Sequence, residues 1–205
     1  MAFLTDQEKQ KIRAAIAEAE ARTSGEIVTV IADSSDTYLY IPTLWAALLA
    51  LAVPGLNFLF GTPMDQVLTY QIQVLTFLAA ALLFQLGPVK MHLIPKRVKH
   101  YRASLVARQQ FVYQGLHTTE NRTGILIFVS VAEHYVEIIA DKGINDRIEN
   151  NVWQASVDEF VSLVREGRTY EGFMTAVNHC REQLWTHFPA EGRNPNELPD
   201  HLVEI

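Results

Sequence analysis

Residues 37–64 contain no Asp, Glu, Lys or Arg, and after Asp65 the run 66–89 again contains none. Each stretch exceeds the roughly 20 helical residues that span a hydrocarbon core of about 30 Å. The reading is two transmembrane helices, near Tyr38 to Phe60 and Val67 to Val89. Pro42, Pro54 and Asn57 interrupt the first, and Gln71, Gln73 and Gln85 the second. Helices that pack on one another in lipid tolerate such kinks and polar contacts. The competing reading is a pair of very apolar helices buried in a soluble domain.

Basic residues set the expected orientation. Lys90, Lys96, Arg97, Lys99, Arg102 and Arg108 follow the second span, whereas the connecting GTPMDQ has none. By the positive-inside rule both termini are cytoplasmic and only a tight turn is exported. The opening MAFLTDQEKQKIR lacks a basic region running into an apolar one, so no signal peptide is expected. Cys180 is the single cysteine, which excludes an internal disulfide and suits a reducing compartment. A net charge of -6 argues against nucleic acid as the main partner, and the local basic cluster is better matched to membrane lipids with anionic headgroups. Two roles remain open for Lys90, Lys96, Arg97, Lys99 and Arg102: fixing orientation alone, or also binding headgroups.

The rest of the chain reads as a soluble-type domain. Thr5 and Glu8 form a capping box, and Ile12, Ala15, Ile16 and Ala19 recur at helical spacing, giving a helix from about Asp6 to Arg22. GEIVTVIAD is β-branched and apolar on both faces, as a central strand requires. Val98, Tyr101, Leu105, Val112 and Leu116 mark a long helix ending near His117. GILIFVSVA and YVEIIADKGI form a β-hairpin around Glu133 and His134. Two amphipathic helices follow, one through Trp153, Val157, Phe160, Val161 and Val164, the other through Tyr170, Phe173, Met174, Val177, Leu184 and Trp185. The tail from Pro189 is Pro-rich, polar and expected to lie extended. The expected division is therefore 1–37, first part of the domain; 38–89, transmembrane hairpin; 90–188, second part; 189–205, tail. The fold class is α/β, helices layered around a small mixed sheet and split by the inserted hairpin.

Chain direction sorts the candidate chemistry. The first strand runs toward the first span and a helix of about 30 Å carries the chain back, so the second strand lies parallel to the first and the third runs outward. Asp33, Asp36, Glu133 and His134 then gather at the membrane-proximal end of the sheet, and Glu26, Glu120, Asp141, Asp146 and Glu149 at the distal end. Ca2+ or Mg2+ chemistry needs several oxygen ligands at one point. The distal ADKGINDRIENN offers Asp141, Asp146 and Glu149, with Asn145, around a glycine turn, although EF-hand spacing is absent. The alternative there is structural: Asp141 and Gly143 make a tight turn, and Asp146 to Asn151 start and cap a helix. The membrane-proximal acids have a comparable alternative, a solvated loop. His179, Cys180 and His187 lack zinc spacing, Ser34 and Ser35 lack a nucleophile-elbow setting, and neither GxGxxG nor a P-loop occurs.

The order TSGEIVTVIA, ENRTGILIFVSVAEHYVEIIADKGIND and REGRTYEGFMTAV resembles the TPM domain, most closely the bacterial membrane-bound subgroup in which a transmembrane hairpin splits the domain. The Gly-Ile-Leu-Ile-Phe-Val strand after Arg122, Asp141-Lys142-Gly143 and Tyr170 to Gly172 carry the likeness. It implies an α/β/α sandwich. For thylakoid-lumen relatives it also implies phosphatase activity and calcium binding, whereas this domain is expected in the cytoplasm. Two functions follow as expectations: a membrane-tethered interaction or accessory module of a membrane complex in the bacterial inner membrane, or a Ca/Mg-dependent phosphatase-like hydrolase using the distal acids.

Overall fold

A computed structural model describes residues 4–61, 64–149, 151–190, 196–199 and 202–205. Thr62 and Pro63 of the expected exported turn, Asn150 of the expected helix cap, and 191–195 and 200–201 of the tail lie outside the described residues. The elements are α1 (Asp6–Glu20), β1 (Glu26–Ala32), α2 (Tyr40–Phe60), α3 (Gln66–Leu83), α4 (Gly87–Leu93), α5 (Lys96–Tyr113), β2 (Gly124–Ser130), β3 (Tyr135–Ala140), α6 (Lys142–Asn145), α7 (Asn151–Arg165), α8 (Thr169–His187) and β4 (Leu202–Glu204). They divide into two compact units, Met1–Ser35 with His100–Ile205, and Asp36–Lys99.

The first unit is built on a mixed sheet of order β3-β2-β1-β4. β1 and β2 pair in parallel from Glu26↔Gly124 to Ala32↔Ser130, and β3 returns antiparallel to β2. Both central strands are buried along their whole length, which is why they read as continuous β-branched runs rather than as alternating ones. Their side chains alternate between two cores. Ile27, Ile31, Ile125, Ile127 and Val129 face α1, α7 and α8, meeting Ile12, Ile16, Phe160, Phe173 and Leu184. Val28, Val30, Leu126 and Phe128 face α5 through Ala103 and Ala107. The result is an α/β/α sandwich. Thr5 and Glu8 close the expected capping box, with the Thr5 N–H donating to the Glu8 carboxylate at 2.7 Å. Gly172 has a packing reason: a Cβ there would lie 2.1 Å from Cδ2 of Phe160, so the ring of α7 seats directly on the backbone of α8.

Three local differences from the sequence reading have physical causes. The expected third strand stops at Ala140, because the Asp141 carboxylate accepts the Lys142 N–H at 2.7 Å and starts α6. The second apolar helix stops at Leu83 rather than Val89. Pro88, lacking an N–H, occupies the first turn of the separate helix α4, whereas inside α3 it would have broken the hydrogen-bond ladder. Part of the tail becomes β4, pairing Thr29↔Leu202 to Ile31↔Glu204 in parallel beside β1.

The second unit contains the apolar hairpin. α2 and α3 meet along small residues, with Ala46, Ala50 and Ala80 buried, and Asn57 Nδ2 donates to Thr69 Oγ1 at 2.9 Å across the pair. Both helices are long and apolar enough to cross a membrane, yet only 11% and 6% of their most apolar 18-residue windows are buried. Met91 and Val98 pack on a small cluster of Tyr38, Ile41 and Ile94 in the same unit.

Candidate functional site

Sheet topology gathers polar groups at two ends of the first unit. At the end holding the start of β1 and the end of β3, Asp141 is buried, and Arg122 grips it with Nε to Oδ2 at 2.6 Å and Nη2 to Oδ1 at 2.9 Å. Burial pulls the Asp141 carboxyl upward, but the Arg122 hydrogen bonds and charge together with the Lys142 N–H outweigh it and hold the group below its ordinary value. Arg122 sits in the left-handed region at φ 57, and Gly143 lies so close behind it that a Cβ would come within 2.3 Å of the Asn121 carbonyl oxygen. Asp146 is an exposed C-cap of α6, and exposed Glu149 accepts from Asn151 Nδ2 at 3.0 Å. Asn145 donates to the Ala140 carbonyl at 2.7 Å. Buried Glu26 accepts the N–H groups of Glu197 and Leu198 at 3.2 and 3.3 Å, and Glu197 accepts the N–H of Glu120 at 3.0 Å. Asp141, Asp146 and Glu149 thus share a neighbourhood in sequence, but among the described residues no three His, Cys, Asp or Glu side chains converge on a point that would hold a metal ion.

The opposite end is organised by Glu133. Its side chain is buried and accepts the Ser35 N–H at 3.0 Å and the Ser130 hydroxyl, while the Ser35 and Ser130 hydroxyls lie 2.7 Å apart. His134 beside it is exposed and left-handed at φ 49, forming the corner between β2 and β3. Asp33 is exposed, its N–H donating to the Ile205 carbonyl at 3.0 Å. This clamp joins the last residues before the hairpin to the β2–β3 corner across 98 residues of sequence. Sequence reading placed Glu133 in a loop and missed its burial; the available signal was an acid three residues beyond the strand-ending Ser130.

Two further polar groups lie where helices pack, one between β3 and α5 and one between α7 and α8. Tyr135 donates to Glu137 Oε2 at 2.9 Å and meets the His100 ring edge-on at 5.1 Å. Burial, then the Glu137 charge, pushes the Tyr135 hydroxyl up to about 12. Ser156 of α7 is hydrogen-bonded to His179 Nδ1 of α8, with the Trp153 ring 5.8 Å from that imidazole. Cys180 is fully buried, and desolvation pushes its thiol up to about 12, which removes thiolate chemistry at neutral pH. His187 lies in the last turn of α8, where its carbonyl accepts from Arg147 Nη1 at 2.9 Å.

The basic cluster divides by engagement. Lys90 Nζ donates to the Thr37 carbonyl and Lys99 Nζ to the Met91 carbonyl, each at 3.1 Å, so both fasten backbone inside the second unit. Lys96 and Arg97 are exposed in the first turn of α5, and Arg102 is half-buried one turn on.

A family model described as the TPM domain matches residues 88–183, just under half of the chain. The match begins after the hairpin, whereas the sheet pairing shows that β1 belongs to the same folded unit. Among solved structures, the NMR structure of BA42 protein from the psychrophilic bacterium Bizionia argentinensis matches with a TM-score of 0.61. It is 19% identical over 99% of this chain and 96% of that one, a likeness of fold. No curated protein matches the chain.

Proposed function

We propose, from the match of residues 88–183 to the TPM domain and from the apolar hairpin, that the chain is a two-pass protein of the bacterial inner membrane whose hairpin tethers a TPM-like domain on the cytoplasmic side as an interaction or accessory module of a membrane complex. The carrying observation is the outward apolar surface of α2 and α3: Leu51, Phe58, Leu59, Val67, Leu75 and Leu82 are all exposed. At 1.5 Å per residue the helices are about 31 and 27 Å long, matching a hydrocarbon core. Water would penalise that surface at roughly 25 cal/mol per Å2; lipid would not.

Orientation rests on charge. Lys90, Lys96, Arg97, Lys99 and Arg102 all follow α3, and the segment between the helices has no basic residue. Exposed Lys96 and Arg97 suit anionic headgroups, at about 1 kcal/mol each near the surface. An interaction role is supported by the work the buried carboxylates already do: Glu26 and Glu133 accept backbone N–H groups, and Asp141 is held by Arg122.

The test is fractionation with a topology reporter. The full chain is expected to stay in the membrane pellet through alkaline carbonate extraction, and a reporter fused after Ile205 is expected to be cytoplasmic. Release into the supernatant would sink the membrane reading, and a periplasmic reporter would reverse the orientation.

A further inference from the structure

We infer that the outer face of α3 is a self-association surface, on which the Gln71 side-chain amides of two copies hydrogen-bond to each other within the membrane; this rests on the membrane reading above. At about 100° per residue, Val67, Leu75, Leu78 and Leu82 lie within about 40° of Gln71 around the helix, while Thr69, Gln73, Thr76 and Ala80 lie about 140–200° away. The structure agrees with that split. Thr69 bonds to Asn57 and Ala80 is buried, so this side faces α2. Val67, Gln71, Leu75, Leu78 and Leu82 are all exposed, so the opposite ridge is the one presented to lipid.

Gln71 is the misfit on that ridge. It lies about 5 Å along the axis from the middle of α3, well inside a hydrocarbon core rather than at its edge. Its amide has no hydrogen-bond partner among the described residues, although Asn57 nearby has found one. A bare amide in hydrocarbon is costly, which makes polar side chains facing lipid a driving force for helix association.

A second copy fits this face because of symmetry and chemistry together. Two chains inserted by the same topology signals have parallel α3 helices, and a two-fold axis along the membrane normal brings each residue opposite its own counterpart. A primary amide holds both a donor and an acceptor, so Gln71 against Gln71 satisfies both copies; a Lys or Asp there would repel itself. The 4-3-4 spacing of Gln71, Leu75, Leu78 and Leu82 is that of a helix-pairing seam, with apolar residues packing on the inward side of the amide.

The experiment uses the full chain in native membranes with Cys180→Ala and single reporter cysteines at Leu75→Cys, Leu78→Cys or Thr76→Cys. Oxidation is expected to trap dimers at 75 and 78 but not at 76. Adding Gln71→Leu to the ridge reporters is expected to lower trapping by about threefold or more, with Gln71→Asn retaining most of it. Equal trapping at 76, or no loss with Gln71→Leu, overturns the amide pairing. An adduct whose mass is not twice that of the chain assigns the face to another protein and overturns self-association. Carbonate extraction of the same samples separates the two readings: release defeats the membrane assignment and this inference with it, whereas a retained but untrapped chain defeats this inference alone.

Discussion

α7 and α3 are helices of similar length, 15 and 18 residues, that treat their apolar side chains in opposite ways. In α7, Trp153, Phe160 and Val164 are 4%, 0% and 3% exposed against the sheet and α8. In α3, Val67, Leu75 and Leu82 are 65%, 65% and 75% exposed, and small or polar residues face the neighbouring helix instead. On the membrane reading proposed above, the two helices serve two solvents. A helix built for water hides its largest residues and packs them tightly, while a helix built for lipid turns them outward and brings small residues to its partner so that backbones approach.

The comparison breaks most sharply at Phe160. Its ring meets Phe173 edge-on at 5.0 Å and lies against Gly172, so Phe160→Ala opens a cavity in a close-packed core. The expected loss is about 3–5 kcal/mol, read by denaturant unfolding of the detergent-solubilised chain. A loss below about 1 kcal/mol would show that α7 is not seated as described. On α3 truncation of Leu75 should cost the fold of the single chain far less than truncation of Phe160, but a charge there should matter. Leu75→Arg is expected to disfavour insertion by about 2.5–3.5 kcal/mol and deplete the carbonate-resistant pellet. Unchanged fractionation would place α3 outside the hydrocarbon.

The two regions also differed in how openly the sequence displayed them. β1, β2 and β3, with the parallel pairing and the hairpin, were legible because buried central strands must be continuous apolar runs and because a long helix between two strands fixes their direction. The apolar hairpin was legible from charge alone. β4 was not: three residues near Pro199 have no periodicity, and they become a strand only because the edge of β1 offers unpaired N–H and C=O groups. The Glu133 clamp was hidden for a related reason, since its partners Ser35 and Ser130 are assembled by tertiary structure and not by spacing. For Asp141 the sequence left two roles open, ligand or turn, and the structure gives its carboxylate two partners, the Lys142 N–H that starts α6 and the Arg122 guanidinium.

Asp141 supplies the finest test of how the first unit is held, because its charge and its cap can be separated. Asn caps a helix about as well as Asp, so Asp141→Asn keeps the bond to the Lys142 N–H and removes only the ion pair with Arg122. Arg122 is half-exposed and water screens the pair, so the expected loss at pH 7 is at most about 1 kcal/mol. The folded-state carboxyl lies below its ordinary value, so its contribution is present above the unfolded value of about 3.9 and is lost as pH falls through the folded value. Wild type and Asp141→Asn should therefore differ in unfolding midpoint at pH 6–7 and converge as the buffer is taken below about pH 4. A difference that stays constant into acid would show that the variant acts through packing around α6, leaving the Arg122 pair without a part in holding that end of the sheet.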